Sequence, residues 1–195
     1  MDMRTDFGRT TLGLAVVVSI AGFLNYAMAN AVLGGVEPPP VQTDNSSALV
    51  QKHHKELMLS ASSEWVGWPM SYVVDGKIET SWFSAQDDSA AKGKRPWIAL
   101  SFPEDVAVKR VTVLGNRDPQ WPTGYSILAG RIELCDKDGK VLHKMENDGL
   151  GNGKDFDLKL EKAMEGVRCV RFTSLGDEGD KTPHGDIAVS ELQVE

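Results

Sequence analysis

Residues 96–102 read PWIALSF and residues 108–115 read VKRVTVLG. In both, apolar and polar side chains largely alternate, the period at which one face of a β-strand is buried and the other meets water. The pattern returns at 126–136 (SILAGRIELCD), 140–145 (KVLHKM), 154–161 (KDFDLKLE), 166–174 (GVRCVRFTS) and 186–195 (DIAVSELQVE). Turn formers separate the runs, among them Asp138-Gly139 and the glycine-rich 149–153. Seven or more short strands with no long helix between them predict an all-β, antiparallel β-sandwich.

The chain of 195 residues suffices for one such domain plus a tail. The expected division is a signal peptide or membrane anchor over 1–31, a proline-rich linker over 32–50, and the sandwich over 51–195. From residue 10 to 36 there is no charge, and 12–24 (LGLAVVVSIAGFL) is strongly apolar. Ala27 and Ala29 suit cleavage by signal peptidase, whereas a retained hydrophobic helix over 10–33 would also span a bilayer. Arg4 and Arg9 precede the run, and no Lys or Arg occurs from 10 to 51. Either way the body of the protein is expected outside the cytoplasm, periplasmic or secreted, touching the membrane only through this segment. A short helix is expected within 47–58, capped by Ser46 or Ser47. The net charge of -7 with no basic cluster excludes nucleic acid as a partner.

The strand order, with VVDGKIETSWFS (73–84), the Pro-Trp-Ile strand, VRCVRF (167–172) and the terminal SELQV (190–194), resembles the discoidin, or coagulation-factor type C, domain family of galactose-binding-like sandwiches. That resemblance runs from about Leu57 to Glu195. It implies a jelly roll of about eight strands that binds glycans, lipid head groups or proteins through loops at one end, without catalysis. It also implies a structural calcium ion beside 73–84, with carboxylates from Asp75 and Glu191, a hydroxyl or carbonyl from Thr80 and a main-chain carbonyl from Lys77. Calcium takes six to eight oxygens in flexible geometry. Lys77 departs from the family's usual Asp or Asn, and its ammonium opposes a cation. The alternative is a metal-free turn. Trp82 and Trp97 occupy core positions of the family.

The loop GNRDPQWPTGYS (115–126) carries Asn116, Arg117, Asp118, Trp121 and Tyr125. An arginine forks onto hydroxyls and a tryptophan face stacks on a sugar ring, so Arg117 and Trp121 are the side chains expected to carry binding. The loop resembles that of fucose-binding lectins in the same superfamily, but it lacks their Arg-x-Asp spacing, paired cysteines and preceding histidine. The competing arrangement pairs Arg117 with Asp118 and uses Trp121 as a cap. Trp65 and Trp68 form a second aromatic loop suited to a ligand or to docking.

No catalytic motif stands out. His53-His54 with Glu56 lacks metalloprotease spacing and is expected on a solvated helix, and His184 in a surface turn. Cys135 and Cys169 lie out of phase with their apolar neighbours and are expected as two unpaired, half-exposed thiols; pairing requires their outer faces to be adjacent. The expected function is a non-catalytic binding module for a glycan or another cell-envelope ligand, the alternative a scaffolding subunit that docks onto a membrane protein complex.

Overall fold

The computed structural model describes residues 47–149 and 155–195. The expected signal peptide or anchor and the linker as far as residue 46 lie outside the described residues. The first element is a short helix, α1, at Ala48–His53, with Ser47 at its N-cap. The Ser47 hydroxyl leaves the helix uncapped and instead accepts a hydrogen bond from the Val194 amide (2.7 Å). This contact fastens the start of the domain to its last strand.

Seven strands follow among the described residues: β1 Met58–Ala61, β2 Trp82–Phe83, β3 Trp97–Gly115, β4 Ile127–Cys135, β5 Val141–Asp148, β6 Phe156–Asp177 and β7 Ala188–Val194. All pair antiparallel in the order β2-β7-β3-β6-β4-β5, with β1 also on β3. The sandwich is as expected, but the strand divisions differ. Residues 97–102 and 108–115 lie in the single strand β3, and 156–161 and 166–174 lie in β6. Register shifts between Ser101 and Arg110 explain the merger. A bulge turns a strand while its ladder continues, so Pro103, Glu104 and Asp105 mark an exposed bend and not a break. The 97–101 part of β3 lies between β1 and β6, and its 111–115 part lies beside β7.

Alternation decides the core. Ile98, Leu100 and Phe102 point inward from β3 to meet Trp82, Ile132, Leu134, Phe156 and Phe172, all at 3% exposure or less. Fully burying each such side chain contributes about 1.5–3 kcal/mol. Gly130 has no room for a side chain: a Cβ there would lie 2.5 Å from a Phe172 ring carbon and 2.9 Å from one of Phe156. The close pair Phe156–Phe172 (centroids 4.9 Å) therefore depends on glycine.

Three expectations are corrected. Trp97 is not a core residue: it is half-buried on the opposite phase from Ile98, under the Arg171 guanidinium at 4.3 Å. His53 is not solvated. It is 6% exposed and meets Phe102 edge-on at 5.8 Å, because α1 lays that side of its short turn on the sandwich. Cys135 and Cys169 are both unpaired, as expected, and Cys169 is half-buried, but Cys135 is buried and not half-exposed, and the two stand directly opposite each other in the β4–β6 ladder.

Candidate functional site

Three loops converge on an aromatic cluster. The first is a tight turn at Trp65-Val66-Gly67-Trp68, in which the Trp68 amide donates to the Trp65 carbonyl (3.0 Å). Gly67 has φ 94°, a left-handed value that suits the third position of a type II turn. Trp65 and Trp68 are bonded to either side of the Phe83 backbone, and Val66 stands at the tip, 92% exposed. Below, Asp88 accepts hydrogen bonds from Ser62 (2.7 Å) and Ser63 (2.5 Å) and anchors the turn.

The second loop is 116–125. Asn116 is buried and organises it: its Oδ1 accepts from Ser81 Oγ (3.1 Å) and the Asp118 amide (3.0 Å), and its Nδ2 donates to the Trp121 carbonyl (2.5 Å). Asp118 accepts from the Gln120 amide (2.8 Å) and from Trp68 Nε1 (3.2 Å), tying the first two loops together. The pairing of Arg117 with Asp118 does not occur. Arg117 donates to Asp155 (2.7 Å) and to the Gly115 carbonyl (2.8 Å), while the Asp118 carboxylate is taken by the Gln120 amide and Trp68.

The third loop, 178–187, brings a residue that sequence reasoning placed in a surface turn. His184 is half-buried, its ring 4.9 Å from that of Trp65. The Thr182 hydroxyl donates to Asp186 (2.9 Å) and accepts from the Gly185 amide (2.8 Å), so the loop is held in shape. Asp177 holds its base, accepting from the Ala90, Ala91 and Gly179 amides and the Ser174 hydroxyl. Burial pushes the Asp186 carboxyl above its ordinary range, against the opposing hydrogen bond from Thr182.

Together Trp65, Trp68, Phe83, Trp121, Tyr125, His184 and Asp186 line a depression of about 40 Å³. Trp68 and Trp121 meet at 6.4 Å, and Phe83 and Tyr125 edge-on at 5.0 Å. The volume is far below the roughly 300–1,000 Å³ of enclosing small-molecule clefts. A ligand would lie across this surface and stack on it. Of the seven expected binding residues, four line the depression: Trp65, Trp68, Trp121 and Tyr125. Tyr125 is only 4% exposed and supports the floor. Asn116 and Asp118 shape the loops, and Arg117 is engaged with Asp155. Phe83, His184 and Asp186 carried no local signal, because only loop convergence makes them neighbours.

The four expected calcium ligands also come together. The Asp75 carboxylate accepts from the Lys77 amide (2.8 Å), and Thr80 Oγ1 lies 2.9 Å from both Asp75 Oδ2 and the Lys77 carbonyl. Gly76, at φ 76°, permits this tight bend. Glu191 enters from β7, 1% exposed, and its Oε1 has no hydrogen-bond partner. Burial first, and then the adjacent Asp75, push the Glu191 carboxyl up to about 9; burial likewise raises Asp75. Two carboxylates, a hydroxyl and a carbonyl form an all-oxygen donor set that fits a hard cation such as calcium. Among the described residues no group of three or more His, Cys, Asp or Glu is placed to hold a metal.

Comparison with known proteins bears on the family and the fold. The family model for the F5/8 type C domain matches residues 58–188. No curated protein sequence matches the chain. Among solved structures, the family 32 carbohydrate-binding module of NanJ from C. perfringens, in complex with galactose, aligns with a TM-score of 0.58 at 18% identity, over 73% of this chain and 95% of that one. A fucose-binding module of Streptococcus pneumoniae aligns with a TM-score of 0.55 at 14% identity, over 72% and 93%. A chitosan-binding module from a chitosanase/glucanase of Paenibacillus sp. aligns with a TM-score of 0.52 at 20% identity, over 71% and 93%.

Proposed function

Since the chain belongs to the F5/8 type C (discoidin) domain family, we propose that it is a non-catalytic, extracytoplasmic binding module that holds a glycan across its aromatic depression. The observation that carries this reading is the convergence of three half-buried tryptophans, Trp65, Trp68 and Trp121, beside the polar edges of His184 and Asp186. Tryptophan faces match the C–H faces of a sugar ring, while the half-buried His184 offers a hydrogen bond to a hydroxyl at the rim and the buried Asp186 lies beneath it. The galactose-, fucose- and chitosan-binding modules of similar fold support the ligand class. The apolar N-terminal run, as signal or anchor, supports export. Asp75, Lys77, Thr80 and Glu191 would hold a structural calcium ion, which would neutralise the buried carboxylates and fix the 75–80 turn to β7.

A second reading is favoured by one observation. Val66, 92% exposed between two tryptophans, gives the depression an apolar prow suited to a protein partner, such as a subunit of a membrane complex.

A glycan array probed with the wild type and with Trp121→Ala, Trp65→Ala and Arg117→Ala separates these readings. Glycan binding predicts a loss of at least about tenfold for each tryptophan variant, the scale of a single aromatic contact of about 1.4 kcal/mol. Arg117→Ala should bind within a few-fold of wild type, since its guanidinium is spent on Asp155. A wild-type chain that binds no glycan but co-purifies with a fixed partner from native membranes would decide for docking.

A further inference from the structure

The chain has two cysteines, and the fold sets them face to face. Cys135 ends β4 and is paired in register with Cys169 of β6. Direct partners in an antiparallel ladder project to the same side of the sheet, with Cα atoms about 4.5 or 5.5 Å apart according to the pair type. Both spacings fall within the roughly 4.4–6.8 Å that a disulfide spans. The two thiols already stand within hydrogen-bond reach of each other. From these placements we infer that Cys135 and Cys169 are a redox-active pair that closes into a cross-strand disulfide between β4 and β6.

The two thiols are not equivalent. Cys135 is 8% exposed, whereas Cys169 is half-buried and reachable from solvent. Each acts most strongly on the other: the Cys135 thiol is pushed up, and that of Cys169 is held down by the hydrogen bond from Cys135, with help from Ser101 and Arg171. Cys169 is therefore the attacking group. With a small-molecule disulfide such as oxidised glutathione as oxidant, the Cys169 thiolate attacks one sulfur, and one glutathione leaves as thiolate and takes up the proton lost by Cys169. Cys135 then loses its proton and attacks the Cys169 sulfur of the mixed disulfide, releasing the second glutathione as a thiol. Two protein thiols are oxidised and one glutathione disulfide is reduced to two thiols.

The bond would lie away from the aromatic depression. β4 begins at Ile127, two residues beyond Tyr125, and Cys135 is its last residue, about 27 Å along at the strand rise. Closing it staples the far end of the sheet and leaves the ligand surface unaltered.

The test uses the full chain, either reduced or incubated under native conditions with excess oxidised glutathione. Each sample is denatured, exposed to a maleimide and weighed intact. The reduced chain should take up two labels and the oxidised chain none, with Cys135- and Cys169-containing peptides linked within one monomer. The oxidised form should melt about 8–15 °C higher, from the entropy of closing the loop between 135 and 169. Cys135→Ser should stop at a single glutathione adduct on Cys169, and Cys169→Ser should remain unmodified over the same period. Two persistent free thiols in the oxidised wild type, a stable glutathione adduct on it, or disulfide-linked dimers would each overturn the inference. If both serine variants fail to fold, the label count on the wild type alone still decides.

Discussion

Replacing Glu191 with glutamine isolates a strongly unfavourable carboxylate ionisation. Glu191 is 1% exposed, and burial and Asp75 together push its carboxyl up to about 9 from an ordinary 4.5. Between those values the folded chain keeps a proton that the unfolded chain has released, so stability falls as pH rises, by about 1.4 kcal/mol per pH unit. Without a cation, the wild type at pH 7 thus carries a penalty of about 3 kcal/mol relative to low pH, most of it accumulated between pH 5 and 7. For a domain of this size that corresponds to a fall in melting temperature of about 5–10 °C over those two pH units. Glu191→Gln places a neutral donor beside the Asp75 carboxylate and should abolish most of that slope, melting above the wild type at pH 7. The assay is thermal unfolding by circular dichroism at pH 5, 6, 7 and 8, with chelator present throughout. Equal slopes in wild type and variant, or a wild-type melting temperature that is flat from pH 5 to 7, would refute the assignment of the penalty to Glu191.

Three further outcomes are expected. Calcium at about a hundred times its dissociation constant should stabilise the wild type by about 2.7 kcal/mol and leave Glu191→Gln unaffected, read as the melting shift between calcium and chelator. Gly130→Ala, whose Cβ would press on Phe172 and Phe156, should destabilise by about 1–3 kcal/mol in urea titration. Asp177→Ala frees the Ala90, Ala91 and Gly179 amides and should cost about 3 kcal/mol, loosening the 178–187 loop enough to weaken glycan binding as measured by calorimetry.

The sequence by itself determined the sandwich, its register of buried and exposed faces, and the carboxylate–hydroxyl turn at 75–80. Each of these is written in local chemistry: alternation at period two marks a half-buried strand, and an Asp-Gly bend with a nearby threonine marks a turn. Tryptophans 65, 68 and 121 were legible for a similar reason, since large aromatics in loops seek a shared surface. Tertiary structure alone decided the continuity of β3 and β6, because a bulge and a loop both interrupt alternation in the same way. It alone decided that Arg117 reaches Asp155, that His184 and Asp186 join the tryptophans, and that His53 is buried. These are pairings across the fold, set by how loops of very different sequence position converge. The opposition of Cys135 and Cys169 belongs to the same class. Strand phase says which face a cysteine occupies, but only the register between β4 and β6 says what stands across from it.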